Sequence, residues 1–390
     1  MAETENPFVY GEVVPLPAFV GRDDELQRLG QDLAASQKVF LISPRRYGKS
    51  SLIRHTLAAL AKRKILTLEI TVASFSSYVA FLEGYARALV AMEARVDTAR
   101  SWLQEFFTTI RPEVRLDPND ASGGGRSGKK LTISFPTVRT ARDVERLAEE
   151  VFSLPARIAG KRGQRLAIAM DEFQAIAAFD SHAVEHALRA AVQQQRQVGY
   201  VFAGSEPSLM ERMISPKRPF YKAGPVMRLQ RIPPDLFASF LDARFKKSGV
   251  KPEAGLGAAI VDLAGNLPYD VQRLAHETWD AIWSAHRRTV GFDDLHETLH
   301  RLLAEQDTLF ESLWQRLTLP QRACLRAVVL QQGRELLSAD SRARHRLGPP
   351  SSVQTSLVAL QRSDLVMRED DGRYVAVDSL LREWVARKTY

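Results

Sequence analysis

The chain has 390 residues, 45% of them apolar, which at roughly 150 residues per domain suffices for two or three domains with full cores and excludes a disordered tail or a disulfide miniprotein. One cysteine, Cys324, cannot form an intramolecular disulfide, and the acidic start MAETENPFVYGE has no apolar core, so no secretory signal is expected and the expected compartment is the cytoplasm. No stretch approaches the ~18 uninterrupted apolar residues of a spanning helix, and a formal charge of +8 with a pI near 9.6 favours polyanionic partners such as nucleic acid or nucleotide phosphates.

In chain order, a Pro-rich extended start gives way to an amphipathic segment, Asp23 to Leu33, with Leu26, Leu29 and Leu33 on one face. Lys38–Ile42 (KVFLI) reads as a buried strand, and Ser50–Leu60 as a helix with Leu52, Ile53, Leu57 and Leu60 inward. The runs ILTLEI (65–70), RLAIAM (165–170) and YVFA (200–203) read as further buried strands with helical stretches between them, the pattern of a parallel sheet flanked by helices. An insertion at about 111–136 alternates on both sides of the tip Asn119–Lys130, a β-hairpin pattern; its cations Arg126, Lys129 and Lys130 suit either a backbone clamp or a simple connector. From Pro233 to about Ala304 the pattern is wholly helical, with the break Gly265-Asn266-Leu267-Pro268 starting a new helix. After Leu319-Pro320 come three helical segments and two short strands around Asp370-Asp371-Gly372, the order of a winged helix-turn-helix. The expected division is 1–232, 233–310 and 311–390.

Ser43-Pro44-Arg45-Arg46-Tyr47-Gly48-Lys49-Ser50 lies between a strand and a helix, where backbone N–H groups and the helix dipole can cradle phosphate oxygens. In this reading Lys49 adds charge on the outer phosphates of ATP, the Ser50 hydroxyl holds Mg²⁺, Gly48 lets the backbone come close, and Ser51 follows on the helix. Ser43 stands where the pattern GxxxxGK[ST] has its first glycine; the bland alternative is a basic turn capping a helix. The strand 166–170 ends in Asp171-Glu172 at the carboxyl edge of the sheet, where Asp171 would complete the Mg²⁺ shell and Glu172 would orient or deprotonate a water; the alternative is an Asp171 that only caps a helix. Ser205, after the strand 200–203, is a candidate to sense the γ-phosphate or the water.

The set Asn6-Pro7-Phe8 with Phe19-Val20-Gly21-Arg22, then SPRRYGKSS, AMDEF, and AGS followed by Pro219-Phe220-Tyr221 resembles the archaeal-type ATPase family, a P-loop group at the border of the AAA+ and STAND classes related to replication-origin recognition ATPases. The motifs span residues 6–221, and the helical and winged-helix parts extend the likeness to most of the chain. The resemblance implies an α/β P-loop NTPase with an AAA+-like parallel sheet, a helical lid and a C-terminal winged helix, with Val20, Gly21 and Arg22 against the adenine. Two departures stand out. Gly265 is followed three residues on by Pro268 where AAA+ proteins often carry a nucleotide-touching Arg, with Arg273 further along, and the arginine finger of an oligomer falls to either Arg212 or Arg218. A nucleotide-driven switch is then as compatible as steady turnover.

Pro350–Arg362 has the small polar start of a recognition helix, with Ser351, Ser352, Gln354 and Thr355 free to meet a groove of double-stranded DNA, and Arg342, Arg344, His345 and Arg346 just before it suit phosphates. Winged helices also bind protein partners, and 311–390 carries thirteen Lys/Arg against nine Asp/Glu. Two stretches mimic zinc sites, His296-Glu297-Thr298-Leu299-His300 and His182-Ala183-Val184-Glu185-His186. Neither offers a convincing third ligand and open position, so ordinary helix-surface histidines are the expectation.

Overall fold

The computed structural model describes residues 5–92, 107, 110, 112–117, 130–179, 183–369 and 371–388. By contact it resolves into two compact units: one is Arg22–Arg45 with Lys49–Gln230, the other Met1–Gly21 and Arg231–Tyr390 together with Arg46–Gly48 from the middle of the phosphate loop.

In the first unit, helix α1 (Asp23–Ala34) opens on Asp23, Asp24 and Glu25, which complement the positive end of its dipole, and buries Leu29 and Leu33. Strand β1 (Lys38–Ile42) leads through the loop into α2 (Lys49–Lys62), followed by β2 (Leu66–Thr71) and α3 (Tyr78–Ala91). Strands β3 (Glu113–Asp117) and β4 (Lys130–Ser134) pair antiparallel with Glu113 opposite Ser134; the hairpin tip with Arg126 and Lys129 lies outside the described residues. Helix α4 (Ala141–Arg162) is fixed at its start by a capping box between Thr140 and Asp143 and stops at a left-handed Gly163. Then come β5 (Leu166–Asp171), α5 (Ala183–Gln194), β6 (Val198–Gly204), α6 (Pro207–Met213) and β7 (Val226–Arg228).

Five strands form one parallel sheet in the order β2-β5-β6-β1-β7. Every position of β5 and β6 is buried, as expected where helices cover both faces of a parallel sheet. The order places β6 between the phosphate-loop strand and the carboxylate strand, with Ile42 level with Gly204 and Met170 with Phe202. The carboxyl ends of β1, β5 and β6 therefore come together. Phe40, Phe173, Phe202 and Phe220 interlock in the core below them.

The second unit contains α7 (Pro234–Lys247), the two-residue strands β8 (Lys251–Pro252) and β9 (Thr289–Val290) flanking α8 (Leu256–Leu263) and α9 (Pro268–Ser284), and the long α10 (Phe292–Arg316), which runs past residue 310 without a break. Next are α11 (Leu319–Leu330), α12 (Ala339–Arg344), α13 (Pro350–Arg362), the antiparallel pair β10 (Val366–Arg368) and β11 (Tyr374–Ala376), and a closing helix α14 (Ser379–Arg387). One core runs from Phe8 through Phe237, Trp279, Trp314 and Leu357 to Val385, so the N-terminal segment packs with the C-terminal helices. Among the described residues no helix is long and apolar enough to cross a membrane.

Candidate nucleotide site

Lys49 is the first residue of α2, and its side chain is 7% exposed. Its ammonium donates to Asp171 Oδ1 and to Glu172 Oε1, the latter at 3.0 Å. Ser50 Oγ donates to the other Asp171 oxygen at 3.2 Å. Ser205 Oγ and Gln174 Nε2 both donate to Glu172 Oε2 at 2.5 Å. Lys49, Ser50, Asp171, Glu172 and Ser205, from three separate stretches of the chain, thus form one hydrogen-bonded cluster at the strand ends, joined by Gln174, which sequence reasoning missed.

Glu172 itself is held at φ 51° and ψ 42°, a left-handed backbone that side-chain-bearing residues rarely adopt, at the turn from β5 into a short 3₁₀ segment. Such strain concentrates at functional positions. Burial pushes its carboxyl up, but the hydrogen bond from Ser205, the Lys49 charge and the Gln174 amide outweigh it and hold the carboxyl below the usual range.

The loop residues behave individually. Ser43 is fully buried and its hydroxyl donates to Pro44 O at 2.8 Å; it is not among the residues with positive φ, so its backbone does not require the glycine of the usual pattern. Gly48 does adopt φ +84°, where a side chain would be strained. Arg45 is an exposed partner of Glu206 at 3.9 Å, Tyr47 is buried, and Ser51 is buried on α2. Arg46 donates to Asp378 Oδ2 at 2.8 Å and Asp270 Oδ1 at 3.4 Å and lies over the Tyr269 ring, while its carbonyl accepts from Tyr269 N. Asp270 in turn accepts from Ser379 N, and Asp378 from Leu381 N at the start of α14. Burial, and then the neighbouring Asp378, push the Asp270 carboxyl up against the pull of Arg46.

Of the segment expected against adenine, Val20 packs on the core of the second unit, Gly21 has φ +65°, and the buried Arg22 pairs with Glu25 and donates to Gln230 O. Arg218 pairs at 2.5 Å with Glu185, a carboxylate only 2% exposed; a finger reaching into a second copy would have to break this pair. Arg212 is exposed. Arg273 lies on α9 with its guanidinium facing Gln306. In the zinc-like stretches, His296 bonds the carbonyl of Phe292 in its own helix, His300 accepts from Arg387, Glu185 is taken by Arg218, and His182 lies outside the described residues.

A search of curated proteins finds no match. Residues 308–387 match a family model described as a probable winged helix domain. Among solved structures, a Walker-type ATPase of Pyrococcus abyssi superposes with a TM-score of 0.62 at 17% identity, covering 97% of this chain and 99% of that one. The fold is that of a P-loop ATPase. The Aeropyrum pernix ORC1 protein, solved in complex with DNA, is similar with a TM-score of 0.52 at 13% identity over 97% of this chain and 95% of that one. The ORC2 protein of the same organism, solved in ADPNP and ADP complexes, has a TM-score of 0.53 at 12% identity over 98% and 95%. The P-loop ATPase fold of this chain thus carries a parallel five-stranded sheet, a helical segment and a C-terminal winged helix, and its strand order puts the cluster at the sheet edge where such folds bind ligands.

On the winged helix, α13 turns Val353, Ser356, Leu357 and Leu360 inward and leaves Ser351, Gln354, Thr355, Val358 and Arg362 exposed, with Ser352 half-buried. Arg344 and Arg346 are exposed, whereas Arg342 is half-buried and donates to Leu337 O.

Proposed function

We propose that the chain binds and hydrolyses ATP and that nucleotide state governs engagement of the winged helix with double-stranded DNA. The convergence of Lys49, Ser50, Asp171, Glu172 and Ser205 at the ends of three strands carries this reading. Lys49 has the position and charge for the outer phosphates, and the first N–H groups of α2 are donors without partners in their own helix. The Ser50 hydroxyl and Asp171 carboxylate, both hard oxygen donors aimed at each other, fit Mg²⁺, which keeps several waters beside one or two carboxylates and substrate phosphates. Bound there, Mg²⁺ would neutralise charge on the β and γ phosphates. Glu172 would take the proton of the attacking water, Ser205 would report on the γ-phosphate, and Arg45 and Ser51 would line the nucleotide. Arg218 is the candidate finger if copies assemble into a homo-oligomer. The helical lid (233–310) and winged helix (311–390) are the parts that would respond.

Arg46 supports the coupling. It belongs to the phosphate loop, yet its guanidinium is held by Asp378, the cap of the last winged-helix helix, and by Asp270. A phosphate competing for this loop would loosen that grip. In Arg46→Ala, ATP binding should persist while its effect on duplex affinity disappears; a ratio of dissociation constants with and without ATP that still matches wild type would refute the coupling.

If the winged helix reads DNA, replacing Arg342, Arg344 and Arg346 with alanine should weaken all duplex sequences alike and flatten the salt dependence by up to about 0.9 in slope per lost phosphate contact, leaving ATP affinity untouched. An unchanged slope would favour the second reading, an ATP-latched scaffold with a protein partner. Val358, 46% exposed in the middle of the outer face of α13, is the observation on its side.

A further inference from the structure

Resting on the ATPase reading, we infer that Gln174 is a positioning residue: with Ser205 it occupies one oxygen of Glu172 and thereby selects the other, Oε1, as the oxygen that takes the proton from the attacking water. Oε2 already accepts two hydrogen bonds, from Ser205 Oγ and Gln174 Nε2. Oε1 accepts from Lys49 at 3.0 Å, so it becomes available when a phosphate draws the ammonium away. The step then balances with water alone as co-reactant: one O–H bond of water breaks with its proton going to Oε1, the water oxygen bonds the γ-phosphorus, and the bridging oxygen departs with ADP.

Three further observations tie Gln174 to this task. The residue is 6% exposed, so the amide is fixed by its surroundings and not by solvent. Its Oε1 has no hydrogen-bond partner among the described residues, which leaves Glu172 as what orients the amide. Finally, Gly204 at the end of β6 keeps the space open: a Cβ there would meet Gln174 Oε1 at 2.7 Å and the Met210 side chain. Both obstacles are side-chain and not backbone atoms, so Gly204→Ala should fold by shifting the buried Met210, the nearer of the two, together with the Gln174 amide.

The test is a cycle of Gln174→Leu, Glu172→Gln and the double variant, with Gly204→Ala as an independent route, each measured for ATP affinity and single-turnover hydrolysis. Losing a hydrogen bond to a charged group that shapes the transition state should slow Gln174→Leu by about tenfold to 100-fold, with ATP affinity within about twofold of wild type. Gly204→Ala should slow in the same way, with its thermal midpoint checking that it folds. If Gln174 acts only through Glu172, adding Gln174→Leu to Glu172→Gln should change the residual rate by less than about twofold. A wild-type rate in both Gln174→Leu and Gly204→Ala, or a double variant slowed by the full factor of the single one, would overturn the inference while leaving the ATPase reading intact. A wild-type rate in Glu172→Gln would remove the general base and the inference with it.

Discussion

Lys49→Ala should lose ATP binding and also lower the stability of the protein without nucleotide. The first effect follows from removing the charge placed for the outer phosphates at the start of α2. The second follows from the company Lys49 keeps: its side chain is 7% exposed and is the cation shared by Asp171, 9% exposed, and Glu172, 26% exposed. Removing one partner of a buried ion pair typically costs about 3–5 kcal/mol, because the remaining charge stays desolvated. Glu172 keeps some contact with water and the donors Ser205 and Gln174, so the cost should sit at the low end of that range. For a unit of this size that is a fall in thermal midpoint of several degrees. The double variant Lys49→Ala/Asp171→Asn should recover part of the stability and none of the binding, since it neutralises the stranded carboxylate without replacing the ammonium. Calorimetric titration and thermal unfolding check both halves; undiminished ATP affinity in Lys49→Ala would dismiss the phosphate-loop assignment.

What the sequence revealed was what adjacency encodes. The phosphate loop lies within eight consecutive residues between an apolar run and an amphipathic one, and Asp171-Glu172 end an unbroken buried strand, so residue type and neighbourhood sufficed. Ser43, which stands where the usual pattern has glycine, keeps its backbone out of the positive-φ region that would favour glycine. Contacts across long separations were invisible. Arg46 reaches Asp270 and Asp378 over 224 and 332 positions, and nothing local to Arg46 in the sequence distinguishes it from Arg45, which is exposed and pairs with Glu206. Arg218 read as a finger because it follows a strand end; its partner Glu185 is buried in a helix whose spacing suggested a zinc motif instead. Strand β7 escaped because three residues are too few to show a period. Gln174 had one available signal, a polar residue two positions beyond the carboxylate pair. Its meaning depends on the left-handed turn at Glu172, a conformation that glycine or asparagine signals in a sequence and glutamate does not.

Glu172→Gln should bind ATP and hydrolyse it slower by about 10²–10⁴-fold, the usual contribution of a placed general base. The substitution preserves size, and the carboxamide oxygen can still accept from Ser205 and Gln174. That orientation turns its NH₂ toward the Lys49 ammonium, so two donors face each other where Oε1 now accepts at 3.0 Å. ATP relieves this clash by giving Lys49 a phosphate oxygen. The variant should therefore hold ATP at least as tightly as wild type, while its water has no acceptor for a proton. Asp171 and Ser50, the oxygen donors suited to Mg²⁺, are unchanged, so the loss should appear in the hydrolytic step and not in affinity. Rapid-quench single turnover alongside equilibrium binding separates the two. The same ATP-loaded variant then isolates the coupling: arrested before hydrolysis, it should show the full effect of ATP on duplex affinity if occupancy of the phosphate loop, transmitted through Arg46, sets the state of the winged helix. If duplex affinity in this variant equals that of the nucleotide-free protein, it is turnover and not occupancy that drives the C-terminal module, and Arg46 is a structural tie alone.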